Sequence, residues 1–145
     1  MDFQPSPYWV ALAERPRAFI DDRVVPAQHA STRANVMDLI ADARIDIEAA
    51  RLLTLRTAWL MDNVGDRAAA PQMSLIKVQV MRAATTIVDR AIQVFGAAGV
   101  SDDTPLARWY ASLRALRIAD GPDEVHSLGI ARRQLRRHNA NQEAR

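Results

Sequence analysis

The sequence predicts an all-α fold, an antiparallel (up-down) helical bundle, and three observations carry that expectation. Apolar residues recur at spacings of three and four along most of the chain, the period of one face of a helix. No stretch shows the strict apolar–polar alternation of a half-buried strand. Glycine and proline fall where one helix should stop and the next begin. With 145 residues, 49% of them hydrophobic and 25% charged, the chain is long enough to bury a core and ordinary in composition for a globular domain.

The first segment, 8–25, carries Trp9, Leu12, Phe19 and Ile20 among charged residues. Pro16 interrupts or kinks it, and Pro26 ends it, because the residue before proline avoids the helical region. Residues 27–33 are turn and cap formers, with Ser31 or Thr32 placed to cap the next helix. The second segment, 33–63, is the longest. Val36, Ile40, Ala43, Ile47 and Ala50 lie on one face, whereas Leu52, Leu53, Leu55, Trp59, Leu60 and Met61 surround the helix. A helix apolar on several faces is covered on several sides. Gly65 supplies its C-terminal break.

The third segment, 71–95, opens on proline, which a first helical turn tolerates. Met73, Ile76, Val80, Ala83, Ile87, Ala91 and Val94 hold a seven-residue repeat, the pattern of a stripe packed in a bundle. Gly96 and Gly99 end it, and 101–105 reads as a loop. Leu106, Trp109, Tyr110, Leu113 and Leu116 form the apolar side of a fourth helix, 104–119. Asp120-Gly121 breaks the chain again. Pro122 with Asp123 and Glu124 gives the proline and acidic first turn of a last helix, 122–138, with 139–145 frayed.

Composition narrows the function classes. The absence of cysteine removes disulfides, thiolate metal sites and cysteine nucleophiles, and suits a cytoplasmic location. His29, His126 and His138 show no ligand spacing, so no metal site is expected. No apolar run is long enough to cross a bilayer, and the opening residues show no basic region followed by an apolar one, so neither a membrane span nor a secretory signal is expected. Net charge is +2. Arg132, Arg133, Arg136, Arg137 and His138 concentrate basic charge at one end, where cations complement the helix dipole; no aromatic interleaves them, and no nucleic-acid partner is expected.

Two constellations bear on chemistry. Gln93-Val94-Phe95-Gly96-Ala97-Ala98-Gly99-Val100 has too few glycines for a dinucleotide fingerprint and no preceding strand, so by itself it is a helix cap and a tight turn. Asp120, before Gly121 and Pro122, fits a turn or N-cap carboxylate.

Residues 36–135 resemble the C-terminal α-helical domain of the acyl-CoA dehydrogenase family, through LIADARIDIEAARLLTLRTAWLMDNVG, SLIKVQVMRAATTIVDRAIQVFG and the ending IADGPDEVH. The ending is closest to the branch of the family that uses Asp as its base. The resemblance implies that Asp120 removes the α-proton of an acyl-CoA while a hydride passes to FAD. It implies that Gln93, Gly96, Ala97 and Gly99 approach the adenine and pyrophosphate part of FAD held largely by a neighbouring subunit. Ala97 stands where the family usually has a second glycine. Pro122 and Glu124 stand where other branches place flavin-contacting Thr and Gln.

Residues 8–28, with RPRAFIDDRVVPAQ, resemble instead the first helix of the family's N-terminal α domain. The expected organisation is therefore an N-terminal helical segment, 1–30, joined to a C-terminal bundle, 31–145, with the intervening domains missing. The missing parts include the β domain that covers the flavin ring and the helix bearing an Arg-x-x-Phe-Gly segment. The implied protein is an acyl-CoA dehydrogenase-related oxidoreductase, inactive or weakly active alone, that forms a homo-oligomer or pairs with a complementary dehydrogenase subunit. The alternative is a non-catalytic helical interaction module.

Overall fold

The computed structural model describes residues 34–143, and among them every regular element is an α-helix. These are α1 (Ala34–Val64), α2 (Asp66–Phe95), α3 (Ala97–Val100), α4 (Leu106–Leu116) and α5 (Asp123–Glu143). The expected helix at 8–25 lies outside the described residues. Backbone contacts divide the chain into two compact units, Met1–Asp42 and Ala43–Arg145. The second unit holds most of α1 and all of α2 to α5.

α2 is the hub, packing against α3, α4 and α5. It folds back on α1 at Gly65, and Arg90 meets Asp46 at 3.7 Å well away from that turn, so the two run antiparallel. α3 and the following loop fold against the C-terminal end of α2. There Ser101 Oγ and Thr104 Oγ1 each donate to the Ala98 carbonyl at 3.1 Å, closing the loop. Leu106, 2% exposed, opens α4 as the largest fully buried side chain among the described residues. α4 then runs back along α2 until the Leu116 carbonyl meets Lys77.

α5 continues in the same sense, since Asp123 pairs with Arg82 and His126 lies near Ser74, further toward the α2 N-terminus. α4 and α5 thus lie end to end along a 30-residue α2, each antiparallel to it. The residues between them, 117–122, form a jog in an otherwise continuous second layer. That jog contains Asp120.

Three boundaries differ from the sequence expectation. α2 begins at Asp66, so Pro71 lies inside it rather than at its start. Ala68–Ala70 favour the helix strongly, and a proline this near the N-terminus removes only the bond to the Arg67 carbonyl. α4 stops at Leu116, where the Arg117 and Ala119 amides turn back to Leu113 and Ala115 at 3.3 and 3.0 Å. α5 starts one residue after Pro122, whose carbonyl accepts from Val125 at 3.0 Å, and continues to Glu143 through the stretch expected to fray. The short α3 was not anticipated.

The heptad stripe of α2 is also not its only packed face. Ala83 is buried, but so are Ala69, Val78 and Thr85, while Met73 is 49% exposed. A helix with neighbours on two sides buries small residues around its circumference, and a single-stripe reading misses this.

Candidate active site

The turn after α4 holds the strongest candidate. Asp120 adopts φ 54, and among the described residues it is the one non-glycine with positive φ. This left-handed conformation costs an L-residue about 1–2 kcal/mol, least for Asp and Asn. Gly121 follows with φ 98. Two positive-φ residues in succession reverse the chain tightly enough to leave Asp120 at the tip.

The backbone of this tip is held from α2. Lys77 Nζ donates to the Ala119 carbonyl at 2.7 Å and also to the Leu116 carbonyl, the two acceptors left open where α4 ends. The ammonium also complements the negative end of the α4 dipole. His126, on the first turns of α5, places Nε2 3.2 Å from the Asp120 carbonyl and Nδ1 3.4 Å from Ser74 Oγ. A carbonyl only accepts, so Nε2 carries a proton. The imidazole lies so close to Gly121 that a Cβ there would meet Nε2 at 3.1 Å.

Asp123 anchors the start of α5 to α2. It is 2% exposed, and its Oδ2 accepts from Arg82 Nε at 3.1 Å and Arg117 Nε at 2.9 Å, with Arg117 Nη2 at 2.8 Å. Burial raises the pKa of this carboxyl, but the hydrogen bonds and charges of Arg82 and Arg117 outweigh it and hold it below the ordinary carboxylate range. The Asp123 amide donates to the Arg117 carbonyl at 3.2 Å, pinning both ends of the jog together.

The two neighbouring acids therefore have opposite situations. Asp123 is buried and ion-paired. The Asp120 side chain is exposed and makes no hydrogen bond or ion pair among the described residues. It does not cap α5, so the turn-capping use of this carboxylate is not the one realised. The same jog carries a shallow cleft lined by Arg114, Arg117, Ile118, Pro122, Asp123 and Glu124, with Asp120 outside that lining. Two of the residues expected from the resemblance to contact flavin, Pro122 and Glu124, thus border the same turn as Asp120.

The other candidates lie elsewhere. Gln93, Gly96, Ala97 and Gly99 cluster at the C-terminal end of α2, roughly 17 Å from Arg82 along the helix at about 1.5 Å per residue. Gln93, Gly96 and Ala97 are exposed. Gly96, at φ 58 and ψ −132, occupies a region open essentially to glycine alone, and no neighbouring atom would meet a Cβ there. Gly99 differs: it is buried, and a Cβ would lie 2.7 Å from the Ile92 carbonyl oxygen. Close packing of α3 on α2 accounts for it. Tested against a dinucleotide, the exposed backbone at Gly96 and Ala97 fits close approach, whereas Gly99 faces its own chain.

Sequence reasoning passed over Ser74, Lys77, Arg82 and Arg117. No spacing marks them out: α2 carries polar residues at many positions, and the partners of Ser74, Lys77 and Arg82 lie some forty to fifty positions along the chain.

Residues 11–135 match a family model described as acyl-CoA dehydrogenase, C-terminal domain. The chain is similar to acyl-CoA dehydrogenase family member 10 of Mus musculus, 42% identical over 92% of this chain and 13% of that protein. It is likewise similar to family member 11 of Homo sapiens, 56% identical over 67% of this chain and 12% of that protein. A solved structure from Mycobacterium abscessus, described as a candidate acyl-CoA dehydrogenase, superposes with a TM-score of 0.72 at 45% identity, covering 74% of this chain and 26% of that one. A chain from a structure of the electron-transferring flavoprotein of Acidaminococcus fermentans superposes at 0.67 with 27% identity, over 73% of this chain and 27% of that one. The chain thus spans well under a third of the length of each of these.

Proposed function

Because this chain belongs to the acyl-CoA dehydrogenase family through its C-terminal helical domain, we propose that it contributes the catalytic base, Asp120, to an FAD-dependent dehydrogenation of an acyl-CoA. The observation that carries this reading is the contrast within the jog: Asp123 is committed to Arg82 and Arg117, and Asp120 is exposed and uncommitted at a rigid tip.

In this reaction Asp120 takes the proton α to the thioester carbonyl. A carboxylate does so only where the carbonyl oxygen receives hydrogen bonds and water is excluded. Bound FAD supplies the acceptor for the β-hydride. Gln93, Gly96 and Ala97 face outward at the far end of α2, a placement suited to a flavin held largely by a neighbouring subunit. Pro122 and Glu124 line the shallow cleft of the same jog. Gly99 acts indirectly, by letting α3 pack closely enough to present Gly96 and Ala97. The remaining walls come from outside the described residues, and the lone chain retains little flavin and turns over slowly or not at all. A longer family subunit completes the site; a second copy of this chain, lacking the same parts, supplies only helical contacts. We place the assembly in the cytoplasm, in keeping with the absence of cysteine.

The test is to mix the chain with a longer dehydrogenase subunit. Retention of yellow colour and acyl-CoA-dependent bleaching should appear on mixing. Asp120→Asn should then abolish turnover and leave the colour. Stoichiometric FAD and full bleaching in the lone chain would overturn the need for a partner.

A second reading, a non-catalytic interaction module, is favoured by the apolar surface of α1. Ile45, Ile47, Leu52, Met61 and Val64 are all exposed. In that case mixing would give a stable complex whose turnover is indifferent to Asp120→Asn.

A further inference from the structure

Asp120 is flanked by two peptide planes, and each is held by a different side chain. The plane before it carries the Ala119 carbonyl, which accepts from Lys77 at 2.7 Å. The plane after it carries the Asp120 carbonyl, which lies 3.2 Å from His126 Nε2. Fixing the first plane relative to Cα sets φ, and fixing the second sets ψ. With both set, the direction of the Cα–Cβ bond is set as well, and with it the cone available to the carboxylate.

Neither clamp is adventitious in its own support. Lys77 is held by a second carbonyl, that of Leu116, so its ammonium sits between the end of α4 and the tip. The His126 ring is steadied by Ser74 Oγ at 3.4 Å and packs over Gly121, where a Cβ would meet Nε2 at 3.1 Å. Both anchors come from α2, one helical turn apart, and α2 is the element on which α3, α4 and α5 all pack. An L-residue at φ 54 relaxes toward negative φ unless its surroundings prevent it.

We propose that Lys77 and His126 are positioning residues for Asp120, one fixing each of its two backbone dihedrals and together aiming its carboxylate. This rests on the reading of Asp120 as the base, but the geometry it asserts is testable without any turnover. The salt-bridged Asp123 has a separate task, joining the start of α5 to α2 through Arg82. Losing that bridge loosens the helix without releasing the tip.

The experiment is solution NMR on the full chain, with thermal unfolding recorded in parallel. The wild type should show the strong intraresidue amide–Hα Overhauser effect of a positive φ at Asp120. Lys77→Met and His126→Leu should each weaken it, as the residue relaxes toward negative φ. His126→Gln, which keeps an N–H donor, should restore the wild-type signal. Arg82→Leu should lower the unfolding temperature yet leave the Asp120 signal unchanged. Retention of positive φ in both Lys77→Met and His126→Leu, or its equal loss in Arg82→Leu, would overturn the proposal.

Turnover is then measured with a longer family subunit and FAD. His126→Leu should reduce kcat and leave KM unchanged, with His126→Gln recovering most of the loss. Full turnover by Asp120→Asn would remove the base assignment, while the NMR result alone decides the positioning.

Discussion

At the residue scale, the jog shows how two carboxylates three positions apart acquire different duties. Burial disfavours the charged form of Asp123; two guanidinium groups outweigh it and hold the carboxyl below the ordinary carboxylate range. Its pKa is depressed in the folded chain, so its stabilisation is fully present above the unfolded-state value and is lost as pH falls through the lower, folded value. Asp123→Asn should therefore cost about 1–2 kcal/mol at neutral pH, discounted for the partial exposure of both arginines. The gap from wild type should close on acidification, as chemical denaturation at a series of pH values would show. Gly99→Ala makes a different kind of test. Its methyl would meet backbone, not a flexible side-chain end, so α3 must shift, at a cost of roughly 1–3 kcal/mol. A lower unfolding temperature should accompany it.

At the element scale, α2 carries the architecture and the site together. One stretch of it supports the tip through Ser74 and Lys77 and holds the start of α5 through Arg82, and its C-terminal end presents Gln93, Gly96 and Ala97. Pro71 is the flaw in it. Replacing Pro71 with Ala returns an amide to donate to the Arg67 carbonyl and removes the ring clash. We expect a gain of about 1 kcal/mol or more, read as a higher melting temperature, with the contacts of Lys77 and His126 unaffected.

At the scale of the whole molecule, large buried side chains are scarce among the described residues: Leu106 and Thr57 are the largest that are fully buried, and both ends of α1 expose apolar groups. Leu52, 59% exposed, and Ile45, 65% exposed, mark a surface that the described residues leave open. Sedimentation should find an oligomer at micromolar concentration. Ile45→Lys with Leu52→Lys should shift it toward the monomer with helix content retained. A monomeric wild type would count against both the homo-oligomer and the interaction-module readings.

The helical class, the approximate extent of four of the helices and the family were legible in the chain, and the same reading points to Asp120, whose role as base is a proposal. These are local or pattern-borne properties: apolar period, glycine and proline punctuation, and a short ending matched residue by residue. Tertiary structure decided the rest. Apolar period says nothing about whether successive helices reverse or continue, so the end-to-end placement of α4 and α5 along α2 was illegible. So was the division of labour between Asp120 and Asp123, because it depends on Arg82 and Lys77, some forty positions away in sequence and adjacent only once α2 has packed. Gly99 belongs to the segment the resemblance assigns to the cofactor, and only packing shows that its missing Cβ makes room for the Ile92 backbone. Sequence spacing reports which residues share a helix face; what stands opposite that face is set by packing between helices, and there the site was made.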